Sequence, residues 1–480
     1  MIHVDLTGGR SLTEADIKRS GALPKEVMAA AEAIVDDVRA KGDAAVRAYC
    51  ERFDGSCPTA FRVPDELIER APEMVDAEFL ESLRLAHDQI RTFHEREVTQ
   101  SMFATRPDGT ILGVKVTPLP SVGIYVPGGR AQYPSTVLMN AVPAKVAGVR
   151  RVVMVTPPQR DGSLSAYTLC AAKLAGVDEV YAVGGAQAIG ALAYGTESIP
   201  RVAKITGPGN AYVAAAKRYV MGDVGIDMVA GPSEVCVLAD ATADPVVVAA
   251  DLMAQAEHDP MATCYLVTDA PALPAAVEDA VERLMAQSPR EDITRRSLSH
   301  GVIVTCDTLA GAVAAVNVVA PEHLELHCEG AMDLLGSIEN AGAIFVGPWS
   351  SEPLGDYVAG PNHTLPTGGT AAFSNPLGVY DFVKRSSVIS YTPAGLAADG
   401  PAVQALAQSE GLWSHALSVG LRRKLVEAGE GRFSDAAAAC EGAAATAWPR
   451  ALDAPGIPYL PGYGDGADAA APGGPATEAR

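Results

Sequence analysis

SVGIYVPGG (residues 121–129), VLMNAVPAKVAG (137–148), RVVMVTPP (151–158), YTLCAAKLAG (167–176), EVYAVGGA (179–186), AKITGPG (203–209) and NAYVAAAKRYVMG (210–222) follow one another along the chain. Short β-branched runs alternate with longer alanine- and leucine-rich ones. That β-α-β-α order predicts a parallel sheet covered by helices on both faces. A second series repeats it, with EVCVLAD (234–240), the helical PVVVAADLMAQAEH (245–258), TCYLVTD (263–269), GVIVTCD (301–307) and GAIFVG (342–347). Two α/β units joined near Ala230 to Ser233 suit the length of the chain, because 480 residues exceed what one ordinary core can hold.

The flanks read differently. Residues 24 to 53 and 76 to 99 carry apolar positions at helical spacing, as in EVMAAAEAIVDDVRAKGDAAVRAYCERF. The stretch from about 380 to 428 is helical again, with EGLWSHALSVGLRRKLVEAG as its clearest member. After Arg432 the chain turns to Ala, Gly and Pro, ending in GDGADAAAPGGPATEAR, a composition that buries too little apolar surface to order itself.

Composition narrows the function classes. A balance of 37 basic against 58 acidic residues, a net charge of −21, opposes a large phosphate-backbone footprint and excludes nucleic acid as the expected partner. No run approaches the roughly 18 apolar residues of a membrane span, and MIHVDLTGGR lacks a signal-peptide core, so a cytoplasmic protein is expected. The eight cysteines are scattered, with no Cys-x-x-Cys pair, and read as reduced core residues.

The polar residues that could do chemistry gather where predicted elements break. Six of the nine histidines follow residue 257, and four of them, His258, His323, His363 and His415, stand close to a carboxylate or amide, which favours an enzyme over a scaffold. The turn Lys204-Ile-Thr-Gly-Pro-Gly-Asn210 can bring backbone N–H groups to a phosphate at a helix N-terminus. It lacks the third glycine of the dinucleotide fingerprint, and a plain βα turn explains it equally. Tyr125 before Val126-Pro-Gly-Gly129, and Gln187 after Gly184-Gly185, mark two more turns at strand C-termini, the edge where ligands of open α/β sheets gather. Gln255 and His258, three apart in a predicted helix, project from one face and with Asp356 and His415 make a nitrogen and oxygen set suited to zinc. A capped helix end is the alternative, since Asp259 and Pro260 follow at once. Glu322 and His323 come directly after Pro321, which predicts a loop or the first turn of a helix. The pair suits general acid and base work, or a first-turn acid facing a helix dipole. His363 in PNHTLPTGG reads equally as a turn histidine.

Seven segments together carry a likeness: IYVPGGRAQYPSTVLMNAVPAKVAGV, GPGNAYVAAAK, DMVAGPSE, DLMAQAEHDP, APEHLEL, GDYVAGPNHTLPTGGTAAFS and EGLWSHALSV. In order and spacing they resemble the motifs of the histidinol dehydrogenase family, over about residues 24 to 424. The resemblance implies an α/β enzyme with two incomplete Rossmann-like domains and small helical N- and C-terminal domains, assembled as a domain-swapped homodimer with an active site shared between subunits. Mapped here, it implies a small N-terminal segment (1–23), a discontinuous first Rossmann-like domain (24–124 and 233–377), a second (125–232), a C-terminal helical domain (378–428) and a disordered tail (429–480).

It further implies oxidation of L-histidinol to L-histidine through bound L-histidinaldehyde, with NAD as cofactor and one zinc ion per subunit, at the end of histidine biosynthesis. By likeness Gln255, His258, Asp356 and His415 are the zinc ligands, and Glu322 and His323 the catalytic pair. Ser233, His363 and Glu410 hold the substrate together with His323 and the metal ligands, and Tyr125, Gln187 and Asn210 belong to the NAD site. The fingerprint without its third glycine is itself a trait of the family. A paralogous NAD-dependent zinc dehydrogenase of another small diol, such as a sulfopropanediol, shares these sites. Glu410 and the APEHLEL and EGLWSH segments resemble the histidinol branch. A catalytically silent metal-binding protein is the alternative of another class, and the Glu322–His323 pair argues against it.

Overall fold

The computed structural model describes residues 1–17, 23–55, 57–128 and 133–429. Gly129, in the turn after Tyr125, lies outside the described residues, as does the expected tail except for Gly429. Packing divides the chain into two compact units, one of Met1–Gln100 with Val116–Arg385 and one of Ser101–Lys115 with the chain from Ser386 on. No helix among the described residues is long and apolar enough to cross a membrane.

The first unit holds two parallel sheets, each buried on both faces. Five strands, β4 (Val122–Tyr125), β5 (Val152–Thr156), β6 (Glu179–Ala182), β7 (Lys204–Thr206) and β8 (Gly225–Ile226), lie in the order β6-β5-β4-β7-β8. Their side chains alternate between two cores. Val153, Val155, Tyr181 and Ile205 pack on one face with the helices Lys25–Lys41 and Gly185–Tyr194, while Val122, Ile124, Met154 and Val180 face Pro134–Val146 and Ala166–Leu174. Continuous β-branched runs suit such doubly covered strands, where both faces are apolar. Each fully buried side chain of this kind contributes about 1.5–3 kcal/mol.

The helix Gly185–Tyr194, GAQAIGALAY, is absent from the sequence reading, which passes from β6 straight to β7. Its residues are small and nearly all buried, so no polar face marks its period. Gly190 shows why small residues stand there, since a Cβ would come within 3.4 Å of Val35 and Val38 on the neighbouring helix.

The second sheet has six parallel strands, β1 (Ile2–Asp5), β9 (Glu234–Ala239), β10 (Thr263–Thr268), β11 (Val302–Thr305), β12 (His323–His327) and β13 (Ala343–Val346), in the order β1-β11-β10-β9-β12-β13. Residues 1–23, expected as a small separate segment, thus include an edge strand of this sheet. On one face Cys236, Leu238, Leu324 and Leu326 pack beside the helix Leu309–Val319. On the other, Val235, Val237, Cys264 and Leu266 meet the helix Pro245–Ala256. His323, Glu325 and His327 occupy that second face of β12 in register with Val235, Val237 and Ala239. A polar stripe thus replaces the apolar one.

In the second unit, strands β2 (Met102–Thr105) and β3 (Ile111–Pro118) pair antiparallel, with β14 (Val383–Ser390) on the other side of β3. The stretch from 380, expected to be helical, therefore holds a strand after a short 3-10 turn over Val379–Phe382. The helices Pro393–Ser409 and Trp413–Glu427 follow as a hairpin joined at Gly411, whose φ of +72° lies in the left-handed region that glycine enters without strain.

Candidate functional site

His323 opens β12, in a strand rather than the loop or helical turn that Pro321 suggested. The alternation His-Leu-Glu-Leu-His, with both leucines in the core, is the strand signal that reading missed. Pairing with β9 holds the ring against the Glu234 backbone. Nδ1 lies 3.0 Å from the Glu234 carbonyl oxygen, which only accepts, so Nδ1 carries the proton and Nε2 the lone pair. Nε2 is buried and has no hydrogen-bond partner among the described residues. His323 borders a cleft of about 520 Å³ that Asp356, His363, Phe345 and Tyr380 also line. Burial pulls the His323 pKa down to about 4, although Asp356, 3.9 Å from Nε2, opposes the fall. The imidazole is a neutral proton acceptor aimed at a cavity.

Glu322 is buried beside it. Its Oε2 accepts a hydrogen bond of 2.9 Å from the Glu234 N–H. Burial pushes the Glu322 carboxyl well above the usual carboxylate range; that N–H and the Ser233 side chain pull it partly back, while the Glu234 and Asp356 charges add to the rise. Ser233 thus reaches Glu322 from the residue before β9.

The helix Pro245–Ala256 runs back along β9 and ends here. Gln255 is its next-to-last residue, fully buried, and its side-chain oxygen lies 3.1 Å from His323 Nδ1, where it can accept the proton that nitrogen carries. His258, expected one turn along the same helix, lies beyond its end in an exposed turn closed by His258 N–H to the Gln255 carbonyl at 3.1 Å. The helix stops there because Asp259 bonds the Met261 N–H and Pro260 cannot continue the ladder. The helix end that the sequence offered as the alternative reading is therefore present.

Asp356 sits on the short helix Glu352–Tyr357, and the ligating atoms of His258, Glu352 and Asp356 all lie within 4.8 Å of one another. Glu352 was not singled out in the sequence, where a first-turn carboxylate suits the helix dipole. Its spacing of four from Asp356 was the available signal, since it places both on one helical face. Burial and the charges of Asp356, Glu322, Glu325 and Asp251 push the Glu352 carboxyl well above its ordinary range. His363 faces the same group, with Nδ1 3.0 Å from the Asp356 carbonyl, and burial lowers its pKa. The first unit thus gathers Ser233, Gln255, His258, Glu322, His323, Asp356 and His363. Glu410 and His415 belong to the second unit, where both are exposed.

The remaining candidates surround the five-stranded sheet. The chain runs outward from β4 through β5 to β6, then returns to the other side of β4 with β7, so β4 and β7 flank a topological switch point. Tyr125 ends β4, and its hydroxyl accepts the Gly185 N–H at 3.1 Å. Tyr125 and Gln187 are buried beneath the turns they shape. Asn210 is exposed and caps the helix Ala211–Val220 by accepting the N–H groups of Tyr212 and Val213. Gly207 has φ +107°, and a Cβ there would stand 2.2 Å from the Tyr125 carbonyl oxygen, so no other residue fits. The acidic residue 20 positions on, Asp227, binds the Gly207 N–H at 2.8 Å and so holds the turn itself.

Comparison with known proteins identifies the family of the chain. Residues 17–423 match the model of the histidinol dehydrogenase family. A histidinol dehydrogenase of Halalkalibacterium halodurans is 52% identical over 394 residues, covering 82% of this chain and 93% of that protein. One of Bacillus subtilis is 50% identical over 412 residues, covering 85% and 96%. The crystal structure of the histidinol dehydrogenase of Elizabethkingia anophelis superposes with a TM-score of 0.84 at 34% identity, covering 89% of this chain and 99% of that one. The chain belongs to the histidinol dehydrogenase family and is an oxidoreductase.

Proposed function

We propose that this protein oxidises L-histidinol to L-histidine through a bound aldehyde, using two molecules of NAD+ in succession. The observation that carries the reading is His323, a buried neutral imidazole whose unpartnered Nε2 sits beside a raised carboxyl and a cluster of metal-ligating atoms. The residues fit both absent groups. His258, Glu352 and Asp356 converge, and the Glu352 Oε2 is buried with no hydrogen-bond partner among the described residues. Gly207 leaves its turn open where any side chain would collide with Tyr125. Zinc held by Gln255, His258, Asp356 and His415 would bind the imidazole and amine of histidinol, and NAD+ at the turns of Tyr125, Gln187 and Asn210 would supply the hydride acceptor.

The chain's own groups perform the proton chemistry. His323 Nε2 takes the hydroxyl proton as the carbinol carbon is oxidised, because its lone pair points into the cleft and its other nitrogen is pinned by Glu234. Glu322, made more basic by burial, takes a proton from the water that adds to the aldehyde, and the hydrate is oxidised in turn. Ser233, His363 and Glu410 hold the substrate. Glu410 and His415 join the site from a second copy in a homodimer. Support comes from the exposed Leu406, Leu412 and Trp413 around them, an apolar surface that a partner would cover.

Glu322→Gln separates the steps, since the amide keeps the size and the Glu234 hydrogen bond but loses the basicity. NADH is counted per site, starting separately from histidinol and from histidinaldehyde, with sulfopropanediol and a chelator as control arms. The variant should keep much of the first oxidation and slow the second by about 10²- to 10⁴-fold. Equal slowing of both would refute the division of roles, and NADH from the diol but not from histidinol would refute the substrate.

A further inference from the structure

The turn at Gly207 is held by two buried charges that no step above uses. Lys217, two turns into the helix Ala211–Val220, donates from Nζ to the Gly207 carbonyl at 2.9 Å. Asp227, just past β8, accepts the Gly207 N–H at 2.8 Å and is ion-paired with Lys217. Their side chains are 3% and 0% exposed. Both polar groups of one glycine are thus bound by opposite charges that neutralise each other. Burying two charges is costly unless every bond is made, and here the bonds converge on the peptide that ends β7.

That glycine needs restraint. Its φ of +107° and close approach to Tyr125 place it outside the regular ladder, at the start of the turn that leads into the helix. The amides of Tyr212 and Val213 are already taken by the Asn210 side chain. An anionic ligand at this helix end must therefore rely on the backbone of the turn itself, whose path starts at Gly207.

We propose that Lys217 and Asp227 are positioning residues, a buried clamp that presets the Gly207–Asn210 turn for the pyrophosphate of a dinucleotide without touching it. This rests on the reading of that turn as part of the NAD+ site. A misplacement of about 1 Å can cost on the order of 10²-fold, so the clamp sets dinucleotide affinity and leaves the distant proton chemistry alone.

The test titrates NAD+ into the full-length protein and measures turnover of L-histidinol. Lys217→Met should raise the NAD+ dissociation constant by about 10- to 100-fold, with the KM for histidinol changed by less than about 3-fold. Because the single variant strands a buried Asp227, the double variant Lys217→Met/Asp227→Asn is measured alongside. It restores charge neutrality and should regain a near wild-type denaturation midpoint while NAD+ binding stays weak. A double variant that binds NAD+ like the wild type, or a loss of histidinol affinity in proportion, would overturn the clamp. A wild-type protein that binds no NAD+ would instead refute the cofactor reading, and the clamp with it.

Discussion

The two parallel sheets of the first unit use opposite ends. The five-stranded sheet presents its glycine turns at the carboxyl ends of β4, β6 and β7, beside a switch point, as open α/β sheets ordinarily do. The six-stranded sheet has its own switch point between β9 and β12, yet its chemical groups cluster at the amino ends of those strands, around Ser233, Glu322 and His323. The difference has an electrostatic reason. Carboxyl ends of the strands meet helix N-termini, whose free N–H groups and positive dipole ends suit phosphate. Amino ends meet helix C-termini, and the one beneath Gln255 and His258 offers carbonyl oxygens and a negative dipole end, which suits a cation. One unit thus carries an anion edge and a cation edge.

If the edges are independent, damage to one should spare the other. The largest effect belongs to the cation edge. His323→Ala removes the proton acceptor, and turnover of L-histidinol should fall by about 10²- to 10⁴-fold while the NAD+ dissociation constant stays within about 2-fold of wild type. A parallel loss of NAD+ affinity would show that the edges are one site energetically. The converse variant is Gly207→Ala. A methyl group 2.2 Å from the Tyr125 carbonyl must push the turn aside, so NAD+ binding should weaken by about 10- to 100-fold, with bound zinc, measured by mass spectrometry, unchanged. Loss of the metal in this variant would break the comparison from the other side.

The anion edge was the more legible of the two in the sequence. Its strands are β-branched runs, and its turns are spelled in glycine and proline. The helix Gly185–Tyr194 escaped, because small buried residues erase the amphipathic period, and so did the two-residue strand β8. On the cation edge the individual residues could be named, but their setting could not. β12 hid behind Pro321, which suggested a loop or helical turn despite the alternation that follows it, His258 because the helix ends before it, and Glu352 because a first-turn carboxylate has an innocent explanation. Local pattern reports apolar faces well. Polar groups that only the fold brings together leave no such periodicity, and Glu410 and His415 were assigned to the site by family likeness.

The polar stripe on β12 supplies the last test, through two histidines on the same face of one strand. His323 at its start is held down at about 4 by burial, while His327 four residues on is pushed up to about 9. Burial lowers His327 as well, but Asp251 Oδ2 at 3.3 Å and Glu325 Oε2 at 3.6 Å outweigh it. His327 is thus a buried cation bracing β12 against the helix that carries Gln255. A histidine whose folded pKa lies above its unfolded value of 6.5 stabilises fully below that value and loses the contribution as pH climbs through about 9. The difference corresponds to roughly 3 kcal/mol. Denaturant midpoints of the wild type and His327→Leu, followed across this range, should therefore converge as pH rises, the wild type losing its advantage. Curves that stay parallel would mean that His327 is neutral in the folded protein. The cation edge would then end at His323 instead of continuing down the strand.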